Sequence, residues 1–305
     1  MGQIAGINIL HLIIGGVLLV LTGLIVIGGL QRIAAVAEKI VPFMAIFYIL
    51  GSLVIFFINI ADVGMIFGAI FKFAFGVKAV AGGAAGIAIS QVITQGCKRG
   101  MFSNEAGLGS SVLVHSSADV KEPVKQGMWG VFEVFFDTIV VCSMTAIVVL
   151  SSGFINLETG MAVEGVNDAT LVSQAFGNVF GPVGQMFIAL AIFLFAFTTV
   201  LGWSQYGTKA VEYLFGIKGV KVYKVIFVLM IVSGAVMNSS LAWDISDTFN
   251  GLMMIPNLIG VVALSPLVAK ITKNYISRKI KGNAEAPMLS QDEQIQAEMA
   301  ANLDE

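Results

Sequence analysis

The chain has 305 residues, 57% of them hydrophobic and 12% charged, where a soluble globular protein carries roughly 25% charged residues. A mean hydropathy of +0.91 and a net charge of −2 exclude a soluble fold and leave no basic field to hold nucleic acid. This is the composition of an all-α polytopic membrane protein.

Apolar runs of about 20 residues, the length that crosses a bilayer, lie at 8–29, 41–60, 79–97, 127–151, 183–205, 225–241 and 248–269. Seven spans put the two ends of the chain on opposite sides. Cytoplasmic loops collect Lys and Arg, and of the 17 basic residues all but Lys72 and Lys78 then fall on one side. The loop 153–182 on the other side carries Glu158, Glu164 and Asp168 and no base. The N-terminus is therefore expected outside and the C-terminus in the cytoplasm, in a plasma (inner) membrane. Residues 1–6 offer no cleavable signal peptide, so a preceding segment is expected. Residues 1–281 make up the transmembrane domain. Residues 282–305, with Glu285, Asp292, Glu293, Glu298, Asp304 and Glu305, read as a polar cytoplasmic tail, disordered or a frayed helix.

Polar and small residues inside these runs are the candidates for function. The third run, AVAGGAAGIAISQVITQGCKRG, gathers Gly82, Gly83, Ala84 and Gly86 in mid-span and follows them with Ser90, Gln91, Thr94 and Gln95. Such a stretch predicts a broken helix, whose freed amides and carbonyls coordinate an ion or a carboxylate beside a watery cavity; close packing through small-residue faces predicts the same composition. The fifth run contains FAFTTVLGWSQYG, with Thr198 and Thr199 adjacent and Trp203 on the face of Thr199. Hydroxyls suit a hard monovalent cation and an indole closes a small pocket, while threonines in apolar helices also bond their own backbone. In the fourth run Glu133 and Asp137 lie four apart, on one face, with Asp137 about 15 Å along the helix. A carboxylate that deep has to pair, protonate or face water. His11 and His115 have no serine or carboxylate at catalytic spacing, Cys97 and Cys142 have no metal-ligand spacing, and no nucleophile, base and oxyanion set occurs. Neither an enzyme nor an organic cofactor is expected.

The loop after the broken span and the helix that follows read KRGMFSNEAGLGSSVLVHSSADVKEPVKQGMWGVFEVFFDTIVVCSMTAIVVL. This stretch resembles the alanine or glycine:cation symporter family, also called the sodium:alanine symporters, most specifically through FSNEAGLGS at 102–110. GLIVIGGLQRIAAVAEKIVPFMA, AGGAAGIAIS, AIFLFAFTTVLGWSQYG and AWDISDTFNGLMMIPNLI resemble the same family in the same order, so the resemblance runs from residue 7 to about 280. It implies a leucine-transporter-type inverted-repeat fold, of which seven spans with an outside start match core helices four to ten only. It further implies sodium as the coupling ion, held by Thr198 and Thr199, and a substrate, alanine or glycine, held by Gly82, Gly83, Ala84 and Gly86 with Ser90, Gln91 and Trp203. Arg99, Ser103, Asn104, Glu105 and Asp137 look like gating or structural residues, with Ser or Asn capping a following helix and Glu near its positive end.

The function expected is thus sodium-coupled symport of alanine or glycine by alternating access within a lipid bilayer, encoded here as an incomplete C-terminal portion. A membrane fragment that transports nothing is the alternative. A seven-helix receptor or light-driven pump shares the topology, but a retinal pump needs a lysine deep in its last helix, and 248–269 contains none.

Overall fold

The computed structural model describes all residues except 1–2, 5–6, 76–84, 106, 164–165, 167 and 302–305. A short antiparallel pair, β1 (Gln3–Ile4) and β2 (Ile7–Asn8), leads into α1 (Ile9–Val26) and α2 (Leu30–Ile58). After a 3-10 turn at Ile60–Asp62 come α3 (Val63–Phe75), α4 (Ala85–Asn104) and α5 (Ser111–His115). The next membrane-length helix is made of α6 (Pro123–Phe135), a π-helical segment Phe136–Cys142, and α7 (Ser143–Leu150). Then follow α8 (Asp168–Val236), α9 (Ser239–Lys279) and α10 (Glu293–Ala301).

Five helices among the described residues are long and apolar enough to cross a membrane: Ile9–Val26, Leu30–Ile58, Pro123–Leu150, Thr170–Val236 and Ser239–Lys279. They contain six of the seven predicted runs, because α8 holds two. Gly181 (φ 62) and Gly216 (φ 68) interrupt it with left-handed backbone, which glycine adopts at no steric cost, so its helical pieces are 168–180, 182–215 and 217–236. The third run is the exception. Its residues 79–84 lie outside the described ones, and the rest is in α4, which is more polar than the five.

Several boundaries move for local reasons. The sixth predicted span reached residue 241, but Asn238 Oδ1 accepts the backbone N–H of Ser240 at 2.9 Å and its hydroxyl at 2.8 Å. An Asn that caps in this way starts a new helix, so Leu241 belongs to α9. At 1.5 Å per residue α2 is about 43 Å long, against a hydrocarbon layer of about 30 Å, and its first turns carry Arg32 and Lys39. Arg32 folds back to donate to the Leu24 carbonyl at 2.8 Å. The loop expected between the second and third spans contains a short apolar helix, α3, whose Phe73 lies against Gly160.

The chain divides into two compact units, Met1–Lys98 with Ile139–Ala242, and Arg99–Thr138 with Trp243–Glu305. The first is held by apolar interlock. Tyr48, Ile55, Val148, Ala175, Phe176 and Ile188 form one buried cluster between α2, α7 and α8, and Val26, Ile33, Phe197 and Leu201 form another between α1, α2 and α8. A Cβ on Gly51 would meet the Phe176 ring at 2.9 Å, and one on Gly15 would meet Ala235 at 2.8 Å. Small residues at such crossings let helices approach closely enough for packing to hold them, since lipid removes the hydrophobic drive between helices.

The second unit is held largely by polar contacts. Glu122, 2% exposed, receives Arg278 at 2.5 Å and has Lys279 at 3.8 Å. The tail read from composition as disordered or frayed returns onto α9: Asn274 donates to the Ala286 carbonyl and its Oδ1 accepts from Met288 N and Arg278 Nε, each at 2.9 Å. Ser277 donates to Glu285 at 2.7 Å, and Leu289 is 4% exposed.

Candidate functional site

Unit by unit, the residues singled out by sequence separate into two groups. In the first unit Thr198 and Thr199 sit on the 182–215 piece of α8, half-buried and exposed respectively. Thr198 donates to the carbonyls of Leu194 (3.0 Å) and Phe195 (3.1 Å), and Thr199 to that of Phe195 (2.8 Å). Each hydroxyl proton is thereby turned into the helix, which leaves oxygen lone pairs pointing away from it. A threonine pair so arranged bonds its own backbone and keeps unshared lone pairs on both hydroxyl oxygens. Trp203, one turn on, is half-buried and meets the Tyr206 ring edge-on at a centroid distance of 5.4 Å.

Beyond Trp203 the helix continues to residue 215 instead of ending at 205, and this carries a polar stripe into the protein interior. Ser204 (0% exposed), Gln205 (4%) and Thr208 (9%) are all buried. Ser204 and Thr208 satisfy themselves on the carbonyls of Leu201 and Ser204 at 2.6 and 2.7 Å, whereas the Gln205 side-chain amide nitrogen has no partner among the described residues. Sequence reading passed over these three because it placed them at the end of a span. The signal available was their helical spacing within WSQYGT.

Of the expected substrate segment, Gly82, Gly83 and Ala84 lie outside the described residues. Gly86, Ser90 and Gln91 lie on α4, Gly86 in its first turn, and the side chains of Ser90 and Gln91 are outside the described ones.

The gating candidates fall in the second unit, where the end of α4 meets the π-helical segment and α9. Ser103 donates to Asp137 at 2.5 Å, and Thr138 donates to the Asn104 side-chain oxygen at 2.7 Å. Arg99 reaches Asp247 of α9 at 3.5 Å and lies over the Trp243 ring, 4.5 Å from its centroid. Phe102 packs on the same indole at 5.5 Å. Asp247 and Trp243, four apart on one helical face, are partners that sequence reading left unweighed.

In FSNEAGLGS the backbone after α4 explains the two glycines. Glu105 takes left-handed backbone (φ 51), as do Gly107 (φ 89) and Gly109 (φ 79), and Glu105 accepts from the buried Ser110 hydroxyl at 3.0 Å. Gly109 is required twice over, by its φ and because a Cβ would lie 2.6 Å from Asn257 Oδ1. Glu105 thus holds the Ser110 hydroxyl just before α5, and Ser103 and Asn104 bond to Asp137 and Thr138. His115 sits close by as a hydrogen-bonding residue, 2.7 Å from Gln126 and 3.5 Å from Glu133. Among the described residues no group of three or more His, Cys, Asp or Glu is disposed to hold a metal ion.

Comparison with known proteins agrees with these features. The family model described as "Sodium:alanine symporter family" matches residues 2–289. The chain is 41% identical over 264 residues to the sodium/alanine symporter AgcS of Methanococcus maripaludis, covering 87% of this chain and 56% of that protein. It is 40% identical over 272 residues to an uncharacterized transporter of Haemophilus influenzae, covering 89% and 58%. It is 36% identical over 273 residues to the probable sodium/glutamine symporter GlnT of Bacillus subtilis, covering 89% and 55%. The chain thus spans a little over half the length of these relatives. The match extends over the membrane helices, the FSNEAGLGS turn and the threonine pair, in a family of transporters and not of enzymes. This multi-pass membrane chain belongs to the sodium:alanine symporter family.

Proposed function

We propose that the chain takes part in sodium-coupled symport of a small neutral amino acid, alanine or glycine, by alternating access. The observation that carries the reading is the Thr198–Thr199 pair: two hydroxyls on consecutive residues of the otherwise apolar stretch 186–202, with their protons held by backbone carbonyls, on a segment matched by the family. Sodium would take the free lone pairs, and Trp203 one turn away would line the amino acid's pocket. Gly82, Gly83, Ala84 and Gly86, with Ser90 and Gln91, would supply amides and small side chains on the facing broken helix, as half-helix ends do for anionic substrate groups. Two hydroxyls do not complete a coordination shell. The remaining oxygens would come from the part of the relatives that the chain does not cover, which in a leucine-transporter-type fold corresponds to the first core helices. Arg99, Ser103, Asn104, Glu105 and Asp137 would hold one end of α4 closed.

The test is alanine and glycine uptake into vesicles containing the chain co-expressed with the first core helices of the Methanococcus maripaludis symporter. Thr199→Val should raise the sodium concentration for half-maximal uptake about tenfold, a change of about 1.4 kcal/mol, and leave membrane insertion intact. An unchanged sodium dependence would return Thr199 to helix bonding alone. For orientation, a membrane-impermeant thiol reagent applied to whole cells should label Glu164→Cys and spare Lys121→Cys and Lys279→Cys. Strong labelling at 121 would invert the topology drawn from the basic residues.

A further inference from the structure

The junction of α4 with the π-helical segment has a chemistry that gating does not require. Two consecutive residues of α4, Ser103 and Asn104, face two consecutive residues of the π-helical segment, Asp137 and Thr138, in two rungs of 2.5 and 2.7 Å. Consecutive residues of an α-helix point about 100° apart, so they seldom both address the same neighbour. The wider turn at Phe136–Cys142 brings Asp137 and Thr138 round together, and π-bulges of this kind concentrate at functional sites. The four groups are a carboxylate, an amide oxygen and two hydroxyls, a set of hard oxygen donors with no nitrogen or sulfur ligand among them.

Charge is the second part of the argument. Asp137 lies in a helix long and apolar enough to cross a membrane, where an ionised carboxylate needs a counter-charge. Among the described residues no cation is within ion-pair distance of it, and Arg99, one turn before Ser103, is engaged by Asp247 and Trp243. The Ser103 hydroxyl satisfies an oxygen lone pair of Asp137 but not its charge. A monovalent cation would satisfy both: each hydroxyl keeps its proton and rotates a lone pair inward, and the site with one carboxylate becomes neutral. A divalent ion would leave an uncompensated positive charge in an apolar span.

We propose that Ser103, Asn104, Asp137 and Thr138 form a sodium site separate from the threonine pair of α8. Its ligands come from two helices, so occupancy ties the end of α4 to the π-helical segment. The proposal does not depend on the reading of Thr198 and Thr199, and its test is built to keep the two apart.

The 305-residue chain is purified in detergent and its melting temperature followed against sodium chloride, with choline chloride holding ionic strength constant, in a background of Thr198→Val and Thr199→Val. Sodium should raise the melting temperature in that background. Asp137→Asn should weaken the apparent sodium affinity by about tenfold or more, Ser103→Ala and Thr138→Val by about threefold each, and Asp137→Glu should restore most of it. The hydroxyl variants keep the carboxylate, so they remain informative if Asp137→Asn fails to fold. Four results would overturn the site: no response specific to sodium in the threonine-free background, a response unaffected by Asp137→Asn, hydroxyl variants that respond as the background does, or stabilisation by acid in choline that reproduces the sodium effect and marks Asp137 as a proton site.

Discussion

The two compact units of the chain weight apolar and polar contacts differently: the first is mainly apolar, with Tyr48 bonded to Thr145 across α2 and α7 at 2.6 Å. Its hydroxyls such as Thr198, Thr199, Ser204 and Thr208 bond their own helices. In the second, the buried hydrophobic residues among the described ones are Leu108 and Leu289, and side chains bond from one element to another: Ser103 to Asp137, Thr138 to Asn104, Arg99 to Asp247, Arg278 to Glu122. A helix contact made of interlocked side chains is close-packed and shifts between discrete arrangements rather than deforming continuously. One made of a few polar contacts can be released by a proton or an ion. The contacts of the second unit are therefore of the kind that a proton or an ion releases, while the first has small-residue crossings at Gly15 and Gly51.

The largest effect expected from breaking this contrast is at Glu122. Its side chain is 3% exposed and holds Arg278, itself 11% exposed. Removing one partner of a buried ion pair leaves the other charge without compensation and costs about 3–5 kcal/mol. Glu122→Ala should free the end of α9 and the returning tail, seen as a loss of amide protection across 274–301 in hydrogen exchange. Retained protection there would show that Leu289 and the Asn274 bonds suffice without the ion pair. The double change Glu122→Gln with Arg278→Gln, which removes both charges, should recover much of the loss, because it is the unpaired charge that destabilises.

A smaller but more widely felt effect is expected in the first unit. Phe176 is fully buried and packs on Tyr48, Phe180 and Phe187 with ring centroids about 6 Å apart. Phe176→Ala removes those contacts and leaves a cavity that costs about 3 kcal/mol. It should lower the melting temperature in detergent while leaving protection of 274–301 untouched. If both regions lost protection together, the division into two units would not describe how the chain unfolds.

What sequence could and could not show follows the same division. Hydropathy located α1, α2, the 123–150 helix, α8 and α9, because lipid-facing helices declare themselves by composition alone. It passed over α3, an apolar helix of 13 residues, too short to cross a bilayer, and it carried the sixth span past its helix because the Asn238 cap interrupts the chain without changing its hydropathy. The candidate site was legible only as residue types. Asp137 was conspicuous as an intramembrane acid, but its partner lies 34 residues away and Glu122 lies 156 from Arg278, separations over which pattern carries no pairing information. The π-helical segment that aligns Asp137 with Thr138 had no sequence cue at all.

The tail gives the smallest effect and the sharpest test of local against long-range order. Composition made it polar and acidic, yet α10 begins at a residue that fits the rules for starting a helix. Asp292 Oδ1 accepts the backbone N–H groups of Gln294 at 2.9 Å and Ile295 at 3.2 Å, the second and third donors of the helix, and Glu293 adds a negative charge at its positive end. Behind it, Gln296 Oε1 accepts from Leu289 N at 2.7 Å and Ser290 N at 3.0 Å while its amide donates to Pro287 at 2.7 Å, so one side chain closes the turn that precedes the helix. Asp292→Ala removes the cap at about 1 kcal/mol. A helix of nine residues is too short to persist on propensity alone, so the loss should unravel Glu293–Ala301 and raise amide exchange there severalfold. The Asn274 and Glu122 contacts lie on the other side of Leu289 and should stay protected. If Asp292→Ala also released 274–289, the helix would be what holds the tail on α9, and the polar contacts of the second unit would form one cooperative network instead of separate clamps.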